Sequence, residues 1–524
     1  MQQPIKNQLR LTLLLTLSVL LTRAQPADLP PGLDQYIDRV LKVFEVPGMS
    51  ISIVHKGKVL LSRGYGVRKV GYPDPVDAHT LFPIASNSKA FTAVALAMLA
   101  EEGKLTWDDP VVEHVPWFRM SDPWVSMQIT IRDLLVHHSG IPAFANDILL
   151  FPPSTFTRRE LVGKVRTIPL VHGFRTTYAY DNILYLAAGE VIEAASGTTW
   201  EDFIQQRIFR PLDMSESLSR FSLLKDRSNI AAGHARLDGK VKAIDHFLDD
   251  AIGDASDPAG GISSNAGDMS QWMLTLLDSG LAPNKTRLYA AGAVKDLWQV
   301  VTPIPTQPAP EELKPAQMNF WGYMLGMRAY NYGACKVIGH GGKLGGFVSQ
   351  VTLVPQLELG ISVLTNQEST GAYWSVIYHV LDYYMHNPSF DWIAGYKKQL
   401  DTALAEEKRT IQQKAIQPDP SARASLPLEK YAGRYRDPLC GEATITMDSA
   451  GLVLRFGRLP RLTADIRHLQ YDTFIARFRD KDLKADAYVS FSLHPDGSID
   501  QVKMKTIDDD SDIGFDEILL KPVK

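Results

Sequence analysis

One stretch limits the choice of folds more than any other: "PIASNSKAFTAVALAML", residues 83–99. Ala85-Ser86-Asn87-Ser88 read as a turn, and they run straight into a segment that is apolar on every side. A helix apolar all round belongs inside a core. Lys89 nevertheless stands on its first turn, three residues after Ser86. Residues i and i+3 share a helix face, so Ser86 Oγ and Lys89 Nζ can meet. Two readings follow. In one, Ser86 caps the helix and Lys89 reaches the surface. In the other, a buried lysine loses its proton and serves as base toward the serine hydroxyl. Spacing alone does not choose between them. A second Ser-x-x-Lys pair, Ser222/Lys225, precedes "DRSN" with no apolar helix to hold it.

The chain has 524 residues, enough for two or three domains and a large core. A net charge of −4 with no basic stripe argues against nucleic acid as a partner. Lys6 and Arg10 precede an apolar run at 11–22, and Thr22-Arg23-Ala24 offers a cleavage site. Residues 1–24 therefore read as a secretory signal peptide, too short to span a membrane comfortably. The expectation is a secreted protein, periplasmic in a bacterium, with no membrane span. One sequon, Asn284-Lys285-Thr286, would accept a glycan there. Two cysteines, Cys335 and Cys440, could pair in an oxidising compartment and are too few for a zinc site. No metal or cofactor is expected.

Helical periodicity marks residues 33–43, the segment after Ser86 up to Gly103, 130–137 with Thr130 as cap, 182–196, 199–208, 267–279, 288–300, 371–386 and 391–415. β-rich runs flank Lys56-Gly57 and occupy 347–366 around Pro355, two hairpin signals. Hairpins thus bracket a mostly helical middle, an α/β (α+β) pattern without regular βαβ alternation. "QPDPSARASLP", 417–427, reads as a linker between a domain at 25–416 and a small antiparallel β domain at 428–524, sandwich or barrel. "DDDSDIG", 508–514, lacks the glycine position and closing acid of an EF-hand, and reads as a solvated turn.

Two further elements bear on the chemistry. Tyr180 and Asn182 stand just before the 182–196 helix, where a packed tyrosine and a helix cap would explain them. "IGHGGKLGGFVSQVTLV" sets His340 and Gly342 before a strand, with five glycines in residues 339–346. Such glycines suit close approach of backbone to a ligand, or a flexible turn.

In order, Ser86/Lys89, Tyr180/Asn182 and His340/Gly342 resemble the motifs of the serine β-lactamase and penicillin-binding-protein superfamily, in its class C and esterase-like branch. "LLVHHSGIP" at 134–142, "FRPLDM" at 209–214 and "PAGGISSNAGDMSQW" at 258–272 add to the likeness, which covers about residues 33–386. The resemblance implies the β-lactamase/transpeptidase-like fold: an antiparallel sheet built from N- and C-terminal strands, flanked by helices, beside an all-helical lobe. It implies that Ser86 is acylated, that Lys89 and Tyr180 handle its proton with Tyr180 as base, and that Asn182 orients substrate and Lys89. It also implies that the backbone N–H groups of Ser86 and Lys343 form an oxyanion hole beside His340 and Gly342. His340 stands where many relatives carry lysine, and imidazole is mostly neutral near pH 7. That departure argues against strong β-lactam hydrolysis. It favours an esterase, or a peptidase of D-aminoacyl type, on a small ester or peptide-like amide.

Other classes compete. No Gly-x-Ser-x-Gly elbow supports an α/β-hydrolase. A non-catalytic secreted matrix or binding protein is the main alternative; the gigasins of mollusc shell matrix look similar in broad arrangement. Intact Ser86, Lys89, Tyr180 and Asn182 favour retained chemistry over a scaffold associated with extracellular matrix.

Overall fold

A computed structural model describes residues 28–237, 239–244, 254–414, 416, 418–419, 421–449, 451–508, 511 and 513–523. The leader expected at 1–24 lies outside the described residues. Helix α1 (Leu33–Phe44) turns Leu33, Ile37, Val40 and Phe44 inward, one apolar stripe at helical spacing. The hairpin of β1 (Gly48–His55) and β2 (Lys58–Gly66) follows, its two-residue turn formed by Lys56 and Gly57, both with positive φ.

The helix after Ser86 is α2 (Ser88–Glu101), and all but its last two residues are buried. α3 (Ile183–Ser196) ends at Gly197 in the left-handed region, and Thr130 closes a capping box on the short helix Ile131–Leu135. α4 (Asp257–Gly260) and α5 (Ala266–Leu277) lead back toward the sheet. The expected helix at 288–300 is reduced to a 3₁₀ turn and Val294–Leu297, because only Leu297 buries a side chain there. The helix begun at Thr199 runs from Trp200 to Ile204 and finishes in a π-helical turn through Phe209.

The remaining strands are β3 (Thr302–Pro303), β4 (Trp321–Tyr323), β5 (Arg328–Tyr332), β6 (Cys335–Leu344), β7 (Phe347–Val354) and β8 (Leu359–Thr365). They join the first hairpin in one eight-stranded antiparallel sheet, ordered β2-β1-β8-β7-β6-β5-β4-β3. Ile51 lies opposite Val363, so the first and last strands of the domain pair directly. α1, α6 (Thr370–Met385) and α7 (Trp392–Lys414) cover one face; α2, α3 and α5 build the core on the other. The glycine-rich segment is not a loop ahead of a strand: His340 and Gly342 lie on β6 itself.

Residues 433–522 form a closed barrel of eight antiparallel strands, β9 (Gly433–Asp437) through β16 (Leu519–Pro522), with β9 pairing β16. The segment expected as a linker hydrogen-bonds to this barrel: Ser425 bonds Asp472 and the Leu426 amide donates to Tyr431 Oη. Cys335 on β6 and Cys440 in the barrel are both free thiols. The barrel docks on the helical lobe through Arg458, which pairs with Glu160 at 3.1 Å, bonds Thr155 and lies 3.9 Å from the Phe156 ring centroid. Arg458→Ala should weaken this docking by about 1 kcal/mol, since the ion pair is exposed and the cation–π contact adds a fraction. The expected outcome is a roughly fivefold faster tryptic cut in 417–427, read by gel and mass spectrometry; an unchanged rate would show that Arg458 does not hold the barrel.

Candidate active site

The site begins with a strained turn. Ala85 sits at φ 47, a left-handed conformation that costs a residue with a Cβ about 1–2 kcal/mol. Neighbouring bonds over-determine it. Ser88 Oγ donates to the Ala85 carbonyl, and Ser349 Oγ on β7 donates to the Ile84 carbonyl at 2.7 Å. β6 presses on the same turn, and a Cβ on Gly342 would lie 2.3 Å from the Ile84 carbonyl oxygen. Glycine is therefore required at 342 by close approach of two backbones. The result presents Ser86, half-buried, at the floor of the cleft, with its side chain capping nothing.

Lys89 does not reach the surface; it is 0% exposed. Its Nζ lies 3.1 Å from Ser86 Oγ, 2.7 Å from Asn182 Oδ1 and 2.8 Å from the Ala259 carbonyl. Asn182 has its oxygen turned to the lysine because its Nδ2 donates to Asp147 Oδ2 at 2.7 Å. Burial pulls the Lys89 pKa down to about 7, with Asp147 and Asp181 opposing. A neutral amine has two N–H donors and a lone pair. Nζ donates to both carbonyls and to Ser86 Oγ; on loss of one proton the two carbonyls keep the two remaining donors and a lone pair turns to the Ser86 hydroxyl.

Tyr180 Oη lies 2.9 Å from Ser86 Oγ on its other side. Burial raises the phenol pKa, with Arg328 and the Ser86 bond opposing, so Tyr180 is neutral and donates at neutral pH. His340 is buried. Its Nδ1 donates to the Gly341 carbonyl at 2.5 Å, which leaves Nε2 to accept from Tyr323 Oη at 2.9 Å. Burial, then Arg328 and Lys89, hold its pKa well below the ordinary value. The imidazole thus stays neutral and enclosed, and does not acquire charge toward pH 6. Lys343 borders the cleft but its ammonium leans to Glu368 at 3.5 Å.

The cation that sequence reasoning missed is Arg328, at the start of β5. Its guanidinium lies 5.3 Å from the Tyr180 ring centroid and 5.6 Å from that of Tyr323, and Nη2 approaches Tyr178 Oη at 3.4 Å. Among the described residues its Nε has no partner and no carboxylate pairs with it. No motif surrounds it in the sequence. His137, noted only as part of "LLVHHSGIP", packs beneath Tyr180 with ring centroids 4.3 Å apart. Ser86, Lys89, Tyr180, Asn182, His340, Gly342 and Lys343 thus converge on one cleft of about 1050 Å³ or its supports; Ser222 is elsewhere, bonded to Asp254. The barrel also reaches the cleft, through Asp516 and through Glu517, which accepts from the Asn146 amide. Among the described residues no group of three His, Cys, Asp or Glu side chains is placed to hold a metal.

Residues 33–381 match the family model described as Beta-lactamase, and 417–521 match that of a domain of unknown function, DUF3471. The unguisins hydrolase ungD′ of Aspergillus campestris is 26% identical over 494 residues, covering 88% of this chain and 87% of that protein. Protein flp of Staphylococcus aureus is 28% identical over 343 residues, 64% of this chain and 63% of its own length. Among solved structures, the octameric penicillin-binding protein homologue from Pyrococcus abyssi superposes with a TM-score of 0.59 at 21% identity, covering 93% of this chain and 99% of that one. SurE gives 0.52 at 20% identity, covering 94% and 98%.

The buried amine predicts a pH signature in stability. Above pH about 7 the folded chain has released the Lys89 proton, while the unfolded chain holds it up to the ordinary 10.5. The unfolded state binds more protons in that window, so stability should rise with pH from about 7 to the onset of tyrosine ionisation near about 10. Asp181, held protonated by burial up to about 7, acts only below the window. Urea unfolding of wild type and Lys89→Met should show this rise in wild type, at most about 1.4 kcal/mol per pH unit, and its loss in the variant. Equal slopes would place the proton elsewhere.

Proposed function

The chain belongs to the beta-lactamase family of serine hydrolases, and we propose that it cleaves small esters or peptide-like amides through an acyl-enzyme on Ser86. The observation that carries this is the set of bonds around Lys89 Nζ, which reaches the carbonyls of Asn182 and residue 259 and Ser86 Oγ, so that losing one proton turns its lone pair to Ser86. In this mechanism Lys89, rather than Tyr180, takes the serine proton as Oγ attacks the substrate carbonyl. The pKa near 7 lets the amine be neutral at working pH and still hold the proton once it arrives. Tyr180, a neutral phenol beside Ser86 Oγ, donates to the leaving group, and Arg328 lowers the cost of the phenolate that results. Backbone N–H groups of Ser86 and Lys343, across the cleft floor, stabilise the oxyanion. Water then attacks the acyl-enzyme by the reverse path.

A peptide-like amide is favoured by the unguisins hydrolase among the relatives, aligned over 88% of this chain. Arg328 favours a second reading, in which the substrate carries a carboxylate at the Tyr180 end. Its guanidinium is a cleft cation without a carboxylate partner among the described residues, so the argument against β-lactams drawn from His340 loses its footing. Export through residues 1–24 is part of the same proposal, supported by the basic, apolar and small-residue order of that segment.

Ser86→Ala should abolish labelling by a fluorophosphonate probe, and Ser222→Ala should keep it. The wild-type labelling rate should rise about tenfold from pH 6 to 8 with an apparent pKa near 7. Persistent labelling of Ser86→Ala would sink the assignment. Arg328→Met should lower kcat/KM for carboxylate-bearing esters about tenfold to a hundredfold relative to neutral ones, the worth of one charge-assisted bond. An unchanged ratio would return Arg328 to a purely supporting role.

A further inference from the structure

A second cavity, of about 90 Å³, lies beside the cleft where three parts of the chain meet. Phe151 and Phe221 of the helical lobe wall it, with Leu344 at the end of β6 and Leu483 and Ile513 from the barrel. Phe151, Gly260, Leu344 and Gly345 border both this cavity and the cleft that holds Ser86. Gly260 marks the passage: a Cβ there would lie 3.7 Å from the Ala85 backbone and from the Phe151 ring.

Asp257, at the start of α4, borders the same cavity. It is 1% exposed, and the group that hydrogen-bonds toward its carboxyl is the Phe221 backbone amide. Burial, aided by the charges of Asp254 and Glu201, raises its pKa well above the usual range, so it stands as a neutral acid. The charged groups beside it are engaged. Arg461 pairs with Asp480 and Asp482 at 2.7 and 2.9 Å, and Glu368 accepts from the Gly346 amide at 2.8 Å. The cavity therefore offers apolar walls, one neutral polar group and no unpaired charge.

Its position fixes which part of a substrate it would meet. Tyr180, the acid for the leaving group, stands at the Arg328 and His340 end of the cleft. The pairing of β5 with β6 stops at Gly339, so the edge of β6 from His340 onward faces the cleft. Four residues of strand, roughly 13 Å, separate His340 from Leu344. A substrate laid along that edge has its leaving group at His340 and its acyl part at Leu344, where the second cavity opens.

We propose that this cavity is the acyl-side pocket, that it takes an uncharged apolar chain, and that the barrel completes it. At about 30 Å³ per atom it holds about three non-hydrogen atoms. A linear aliphatic acyl group or a branched aliphatic side chain fits that description, and a charged one does not. This assignment rests on the acyl-enzyme reading above, and it makes the barrel a specificity element.

The test is kcat/KM for p-nitrophenyl esters of increasing acyl length, with the full-length wild type, Leu483→Ala and Leu483→Trp, each checked for folding by circular dichroism. Fluorophosphonate labelling is run on the same samples. Wild type should rise at least tenfold from acetate to a maximum near butanoate or pentanoate, then fall. Leu483→Ala should move the maximum to longer chains, and Leu483→Trp should cut the pentanoate-to-acetate ratio at least fivefold. Should the tryptophan variant fail to fold, the shift in Leu483→Ala decides alone. Labelled proteins with one and the same length profile would overturn the pocket and leave the acyl-enzyme standing. A wild type that takes no label would overturn both.

Discussion

The Lys89 amine, taken wholly out of water, is the constraint around which the rest of the cleft is arranged. A buried ammonium is costly unless paired, and no carboxylate lies within ion-pair distance of it among the described residues. The chain resolves this by lowering the proton affinity rather than by supplying a counter-ion. Two carbonyls satisfy a neutral amine, and the group left over is the one that faces serine. The same burial that keeps Lys89 from the surface pulls its pKa down to about 7.

Holding that geometry requires three separated segments to meet. The turn at Ala85 is bent into the left-handed region, and it stays there because Ser88, Ser349 and the bare edge of Gly342 leave it no room to relax. Strain of this kind belongs to a site that must aim a side chain. Asn182 comes from the start of α3, and Asp147 behind it fixes which way its amide points. Tyr180 rests on His137, whose ring is buried beneath it. No single segment carries the arrangement.

The barrel is more than an appendage. Its Arg458 clamps the lobe that bears Phe151 and Asp147, and its Ser511, Gly514, Asp516 and Glu517 line the cleft. An interface so placed ties access to Ser86 to the docking of a second folded unit. The unguisins hydrolase ungD′ aligns over 88% of this chain, whereas flp aligns over 64%.

The sequence by itself determined the class of fold and named most of the residues that meet at Ser86. Helical period, hairpin turns and the ordered motifs at Ser86, Tyr180 and His340 are local signals, and each survives in the structure as a local feature: a buried helix, a residue before α3, a strand edge. What local signals could not carry was decided by tertiary contact. Arg328 lies on a short strand with no motif around it, and only the sheet brings it over Tyr180. The proton affinities of Lys89, Tyr180 and His340 depend on burial by distant residues, so they could not be read from spacing. His340 illustrates the limit. Its identity was visible, but that its two ring nitrogens are consumed by Gly341 and Tyr323 is a fact of packing. A pKa is set by what surrounds a group in three dimensions, and a sequence lists neighbours in only one.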